Sequence, residues 1–212
     1  MEDKYHFLKN PFDKLSKGDE KKFQGECAVI AQKLFDNYCI LCGDAKYYFT
    51  EIEFYYYEKD RWDDKWNEVT YARDDHKAGD LFYHLSGIDI CFESHYLSIK
   101  NAKFGGILIR AIKDEMGIVI AGPLTCKDAI LNACKGKQMP VLKQLFTQRK
   151  FDLKSTYRAL GEKDLDKGND RLCFYDSRIN DWNPVKNRYN TRKGVIEPKK
   201  GTYKTDRFND NY

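Results

Sequence analysis

The 212-residue sequence lacks any apolar run close to the roughly 20 residues that a membrane-spanning helix needs. Its amino terminus is charged from Glu2 to Lys4, so it also lacks the apolar region of a secretory signal. Internal repeats, low-complexity tracts and a convincing linker are missing as well. These absences predict one soluble, cytoplasmic domain over residues 1–212, with a flexible amino-terminal segment at about residues 1–20.

Paired cysteine motifs are scarce. Cys39 and Cys42 form one Cys-x-x-Cys, but no second pair with zinc-like spacing follows. A strand at this position directs the two side chains to opposite faces, so we expect neither a metal site nor a redox site. The seven cysteines are odd in number and lie mostly in apolar stretches, which indicates buried free thiols in a reducing compartment.

The chain also lacks a strong charge of one sign. Its 37 Lys and Arg against 33 Asp and Glu give a net charge of +4, too little for a histone-like field. The excess is uneven, because basic residues are concentrated from Lys135 to the carboxyl terminus, among them Lys186, Arg188, Arg192 and Lys193. Such a stretch can follow a nucleic-acid backbone, and a solvated basic tail is about equally compatible with it.

Helical and extended patterns alternate along the chain, which predicts an α+β fold. Helices are expected at 25–35 and 125–134, with a second short helix at 141–146. Strands are expected at 38–42, 46–57, 81–85, 88–94, 106–112, 116–120 and 171–175, where 81–85 and 88–94 are either two strands or one bent strand interrupted at Ser86-Gly87.

One predicted strand carries acidic and aromatic residues on the same face. Alternation places Glu51, Glu53 and Tyr55 on one side of this strand and Ile52 and Phe54 on the other. Burying carboxylates costs free energy unless they are paired or used. With a carboxylate as base and a tyrosine as platform, this face suits the attack of an activated water on a planar substrate.

The order of motifs along the chain resembles the alkyladenine (3-methyladenine) DNA glycosylase family. The matching segments span nearly the whole sequence and are 51–55 (Glu-Ile-Glu-Phe-Tyr), 77–82 (Lys-Ala-Gly-Asp-Leu-Phe), 86–87 (Ser-Gly), 107–111 (Ile-Leu-Ile-Arg-Ala), 122–125 (Gly-Pro-Leu-Thr), 192–195 (Arg-Lys-Gly-Val) and 207–208 (Arg-Phe). Collinear order and spacing carry the resemblance more than any single motif does.

The resemblance implies a role for several residues. Glu53 falls on the family's general base, Arg110 on the arginine that helps to hold the attacking water, and Tyr55 on a base-stacking aromatic. Either Tyr83 or His84 takes the second stacking position. It also implies one α+β domain with a curved, mostly antiparallel sheet, a DNA partner, and chemistry that uses no metal or organic cofactor. We expect a monomer.

The sequence departs from the family pattern at three positions, which keeps other functions open. No histidine follows shortly after Tyr55, Ser86 replaces the bulky wedge, and Glu93 replaces an asparagine. A serine cannot fill the gap left by an extruded base, so single-stranded or mismatched DNA is the expected substrate. The alternatives are a nucleic-acid or protein binding module on the same scaffold and an N-glycosidase that acts on nucleosides or RNA.

Overall fold

A curled antiparallel sheet with two helices against it forms the α+β fold in a computed structural model of the chain. The structure describes residues 3–16, 18–58, 76–93, 103–134, 138–146, 149–158 and 171–178. The predicted fold class is therefore confirmed.

Nine strands are present among the described residues, and every pairing between them is antiparallel. They are β1 (Tyr38–Cys42), β2 (Ala45–Glu58), β3 (Leu81–His84), β4 (Gly87–Cys91), β5 (Lys103–Lys113), β6 (Val119–Ala121), β7 (Val141–Gln144), β8 (Leu153–Arg158) and β9 (Arg171–Asp176). The order is β3-β4-β5-β2-β1-β7, with β6 on β5, β9 on β2 and β8 on β9. The long strand β2 is thus paired along both edges.

Helix α1 (Glu20–Asn37) covers one face of the sheet. Its buried residues Cys27, Ile30, Ala31, Leu34 and Phe35 recur at helical spacing, which gives the helix one apolar stripe. They join the core formed by the apolar side chains of β2, among which Phe49, Ile52 and Phe54 are buried. Helix α2 (Pro123–Cys134) follows β6 and buries Cys126, Ile130 and Cys134.

The amino-terminal segment adds three anchors to this core. Leu8, Phe12 and Leu15 are buried, and a short 3-10 helix runs from His6 to Leu8. The ring of Phe12 lies 4.5 Å from that of Tyr56 and 5.5 Å from that of Phe92, centroid to centroid. Three apolar residues of this mostly polar segment therefore pack into the core.

Two other sequence-based expectations need correction. The helix predicted at 141–146 is wrong, since Val141–Gln144 pairs with β1 as an edge strand. Cys42 and Cys134 form a disulfide, with Cα atoms 5.3 Å apart, so the prediction of free thiols fails for this pair. The other five cysteines are free and buried as expected. No helix in the described ranges is both long and apolar enough to cross a membrane.

Candidate active site on the carboxylate face

Two irregularities in the pairing of β2 with β5 place a charged cluster on one side of the sheet. Ile52 lies opposite Ile109 and Glu51 opposite Ala111, so Arg110 is an extra residue in β5. A second shift, between Phe49 and Glu51, leaves Thr50 without a partner in the register. β-Bulges redirect side chains locally, and here the guanidinium is directed to the face that carries the glutamates.

Arg110 bridges the two glutamates of β2. Its Nε lies 2.8 Å from Glu51 Oε1 and its Nη1 lies 2.7 Å from Glu53 Oε2. The relative exposures of Glu51, Glu53 and Arg110 are 3%, 0% and 4%. We call these three residues, two acids and one arginine, the trio. Charge-assisted hydrogen bonds at such distances are strong, and two of them fix the plane of the guanidinium.

Two further donors complete the surroundings of Glu53. The Tyr55 hydroxyl donates to Glu53 Oε1 at 2.5 Å, and the Cys173 thiol donates to Glu53 Oε2 at 3.4 Å. Cys173 reaches this place because β9 pairs with β2, with Cys173 opposite Glu53 and Tyr175 opposite Glu51. Both oxygens of Glu53 therefore have fixed donors, and its orientation is set from three strands.

The buried surroundings of the trio affect the neighbouring acids. Burial, with a smaller contribution from the Glu51 carboxylate, raises the pKa of Tyr175 above its usual value. The same two causes, in the same order, raise the pKa of the Cys126 thiol. Both groups therefore stay neutral beside the trio at physiological pH, and they add no negative charge to it.

A second polar group lies on the same face two strands away. Asp89 lies opposite Leu108, and Leu108 lies opposite Glu53, so Asp89 and Glu53 are separated by two strand spacings, roughly 10 Å. His84 Nε2 lies 3.3 Å from Asp89 Oδ2, and the Ser86 hydroxyl lies 3.0 Å from His84 Nδ1. The predicted residue His84 therefore shares a face with Glu53.

The remaining predicted site residues lie elsewhere. Tyr83 lies opposite Ile88 and packs against the hydrophobic core on the other face, where burial raises its pKa to about 12. Glu93 lies beside the amino-terminal segment, since its backbone N–H donates to the Leu8 carbonyl at 3.1 Å. Neither residue is a hydrogen-bond partner of the trio among the bonds between described residues. The predicted nucleic-acid contacts Lys186, Arg188, Arg192 and Lys193 lie outside the described residues.

Sequence reasoning missed the contributions of Cys173 and Asp89. Cys173 is the central residue of a predicted strand, but nothing local indicates which strand it joins. Asp89 lies inside the otherwise apolar segment Gly87–Cys91, and a buried acid within such a segment is itself a signal of a polar partner. Over the described ranges, no group of three or more His, Cys, Asp or Glu residues is arranged to hold a metal ion.

Comparison of the chain with family models, with curated proteins and with solved structures gives no match.

Proposed function

We propose that this protein is a divergent DNA glycosylase that hydrolyses the N-glycosidic bond of a damaged purine. The observation that carries the proposal is the carboxylate of Glu53, which Arg110 and Tyr55 hold at 2.7 and 2.5 Å on the same face as His84. The collinear motifs in the sequence point to the same two positions, Glu53 and Arg110, as the catalytic pair.

The chemistry needs a base and a negative charge near the sugar. In this reaction a water oxygen attacks C1′, the bond from C1′ to the base nitrogen breaks with its electron pair on the base, and Glu53 takes a proton from the water. Cleavage passes through an oxocarbenium-like state, which negative charge stabilises. The trio carries two carboxylates against one guanidinium, so its own net charge is −1.

The local residues also favour a particular form of substrate. Ser86, at the position of the family's wedge, is small and its hydroxyl lies 3.0 Å from His84 Nδ1, so Ser86 itself cannot hold a duplex open. Extrusion of a base costs least where it is already unpaired, so we propose single-stranded or mismatched DNA as the preferred partner. The proposal includes a cytoplasmic location and a monomer, and it requires no metal or organic cofactor.

The test is release of a free base from oligonucleotides that contain hypoxanthine or a methylated purine. Single-stranded, mismatched and fully paired substrates are compared, and product strands are cleaved at abasic sites with alkali. Glu53→Gln keeps the size of the side chain and removes its basicity, so we expect loss of base release. The matched control is Glu58→Gln, because Glu58 is a buried acid of the same strand that accepts a hydrogen bond from Tyr56 at 3.0 Å. Equal activity of the wild type and Glu53→Gln removes Glu53 from the mechanism.

A second candidate function is a binding module that keeps the scaffold without catalysis. The observation that favours it is the saturation of Glu53, which has no exposed surface and has protein donors on both oxygens. Under this alternative, no base is released from any DNA, RNA or nucleoside substrate. Binding to a nucleic acid would then be identified by an affinity that falls steeply as the salt concentration rises. Affinity for a protein partner would not show this dependence on salt.

A further inference from the structure

A polar groove lies at the other end of β2 from Tyr55. An open space of about 490 Å³ is lined by Tyr48, by Lys113 at the end of β5, by residues 114–117 of the β5–β6 connection and by Arg149. This volume falls in the range of small-molecule sites, roughly 300–1,000 Å³. Tyr48 lies opposite Lys113 in the β2–β5 register, so these two side chains leave the sheet on the same side.

Arg149 is held in the groove with its faces covered. Its guanidinium carbon lies 4.0 Å from the ring centroid of Tyr48 and 4.9 Å from that of Phe151. Its backbone N–H donates to the Asp36 carbonyl at 2.8 Å, which ties this residue to the end of α1. With its faces against aromatic rings, a guanidinium can bind further groups only through the donors at its edge.

One of these edge donors has no partner among the residues that the structure describes. Arg149 Nη1 is buried and makes no hydrogen bond to any residue in the described ranges. A buried donor that is left unsatisfied costs free energy, and this cost is recovered when a ligand accepts the bond. The Arg149 guanidinium is oriented in advance, and a small movement that exposes Nη1 would let it bind an oxygen of a phosphate or carboxylate.

The charges around the groove favour an anion. Two acids of the connecting segment also line the groove: Asp114 Oδ1 accepts the Ile118 N–H at 2.8 Å and keeps its negative charge, whereas Glu115 is paired with Lys46 at 3.2 Å. Within the described residues, the Lys113 ammonium has no hydrogen bond or ion pair. With Glu115 offset by Lys46, the cations Lys113 and Arg149 outweigh Asp114, so the groove carries a formal excess of one positive charge.

We propose that this groove binds the phosphate group of a nucleotide. Lys113 and the edge of Arg149 hold the phosphate, and Met116, which is 86% exposed at the rim, offers an apolar surface to the base. The phosphate belongs either to a free mononucleotide or to a nucleic-acid strand. Tyr48 precedes Glu51 by three residues, about 10 Å along a strand, so the groove and the trio lie on neighbouring parts of β2. The phosphate site does not require the proposed glycosylase activity.

The test is titration calorimetry with inorganic phosphate, deoxyadenosine monophosphate, deoxyadenosine and a single-stranded deoxytetranucleotide. We expect the monophosphate to bind at least about tenfold more tightly than deoxyadenosine, because only the former reaches both cations. Arg149→Gln should weaken its binding by about tenfold or more, and Lys113→Gln by a smaller factor. If Arg149→Gln does not fold, as judged by thermal unfolding, Lys113→Gln decides the question.

Arg178→Gln is the matched control. The Arg178 guanidinium also lies over Phe151, at 4.7 Å, but it is paired with Asp176 at 2.9 Å and does not line the groove. Its substitution should leave the affinity unchanged. The proposal is overturned if folded Arg149→Gln and Lys113→Gln bind the monophosphate as tightly as the wild type does. It is also overturned if the wild type binds deoxyadenosine more tightly than the monophosphate. Binding of Mg²⁺ that depends on Asp114 would assign the groove to a cation and overturn it as well.

Two further comparisons are made. The first distinguishes a free nucleotide from a nucleic-acid strand as the source of the phosphate, and the second distinguishes the phosphate site from the proposed glycosylase activity. A tetranucleotide that binds much more tightly than the monophosphate, with a steeper dependence on salt, identifies a strand as the ligand. Equal affinities identify the free nucleotide, and both results support a phosphate site. Glu53→Gln should leave the affinity for the monophosphate unchanged, so loss of base release in that variant does not bear on the groove.

Discussion

Arg110 Nη1 lies 2.7 Å from Glu53 Oε2 across the β2–β5 pair, at a residue that is extra in the register of β5. If the pairing were regular, the residues opposite Ile52 and Glu51 would be adjacent in β5, with no residue between them. The ion pair therefore depends on the bulge, and the bulge is stabilised by the ion pair.

Arg110→Met should destabilise the protein by about 3–5 kcal/mol, because it leaves two carboxylates buried without their cation. The measurement is urea unfolding followed by circular dichroism. The informative control is the triple variant Glu51→Gln, Glu53→Gln, Arg110→Met, which removes all three charges together. We expect the triple variant to be more stable than Arg110→Met. A triple variant that is less stable than the single one would show that charge repulsion is not the cause.

Tyr55→Phe and Tyr56→Phe form a matched pair on neighbouring residues of one strand. Each hydroxyl donates to a carboxylate two residues away, Tyr55 to Glu53 and Tyr56 to Glu58. Hydrogen bonds to charged groups contribute about 1.5–3 kcal/mol, so both variants should lose stability of this order. Only Tyr55→Phe should also lower base release, since only its hydroxyl orients Glu53. Equal activities in the two variants would assign Tyr55 a structural role alone.

Gly105→Ala should destabilise the β2–β5 pair. A Cβ at this position would lie 2.5 Å from the Tyr55 carbonyl oxygen and 2.9 Å from the Phe92 ring, so the backbone must shift. We expect a loss of about 1–3 kcal/mol, the usual cost of overpacking. Gly25→Ala is the control, because Gly25 lies inside α1 with no atom within 4 Å of an added Cβ. It should raise the free energy of unfolding by about 0.5–1 kcal/mol. A stable Gly105→Ala would disprove the close approach.

Stability should fall as the pH rises from about 10 to about 12. Burial raises the pKa of both Tyr38 and Tyr83 from 10.0 to about 12 in the folded protein, whereas the unfolded chain titrates near 10. Below pH 10 both states keep the protons and the stabilising contribution is complete. Above it the unfolded state releases them first, which favours unfolding.

Tyr83→Phe tests this pH dependence. The Tyr83 hydroxyl is buried without a hydrogen-bond partner in the described part of the chain, so its removal should cost little stability at neutral pH. Urea unfolding at about pH 9 and at about pH 11 should show a smaller loss of stability in the variant than in the wild type. If the variant and the wild type lose the same free energy of unfolding between the two pH values, Tyr83 does not contribute to the pH dependence.

Local patterns were enough to predict much of the fold. Helix α1 follows from apolar residues at helical spacing such as Cys27, Ile30 and Leu34, and β2 follows from alternation that separates Glu53 from Phe54. Val141–Gln144 was mistaken for a helix because a short segment does not carry enough periods to separate the two forms, and its pairing with β1 decided the matter.

The sequence by itself determined which residues share a face of β2, because side-chain direction in a strand depends only on the alternation of neighbouring residues. The tertiary structure alone decided which residues meet there. Cys173 contacts Glu53 across 120 positions of the chain, and Asp89 joins the same face through two pairings. Arg110 reaches both glutamates only where a bulge shifts the register. Strand partners and register arise from hydrogen bonds between distant segments, and local periodicity carries no information about them.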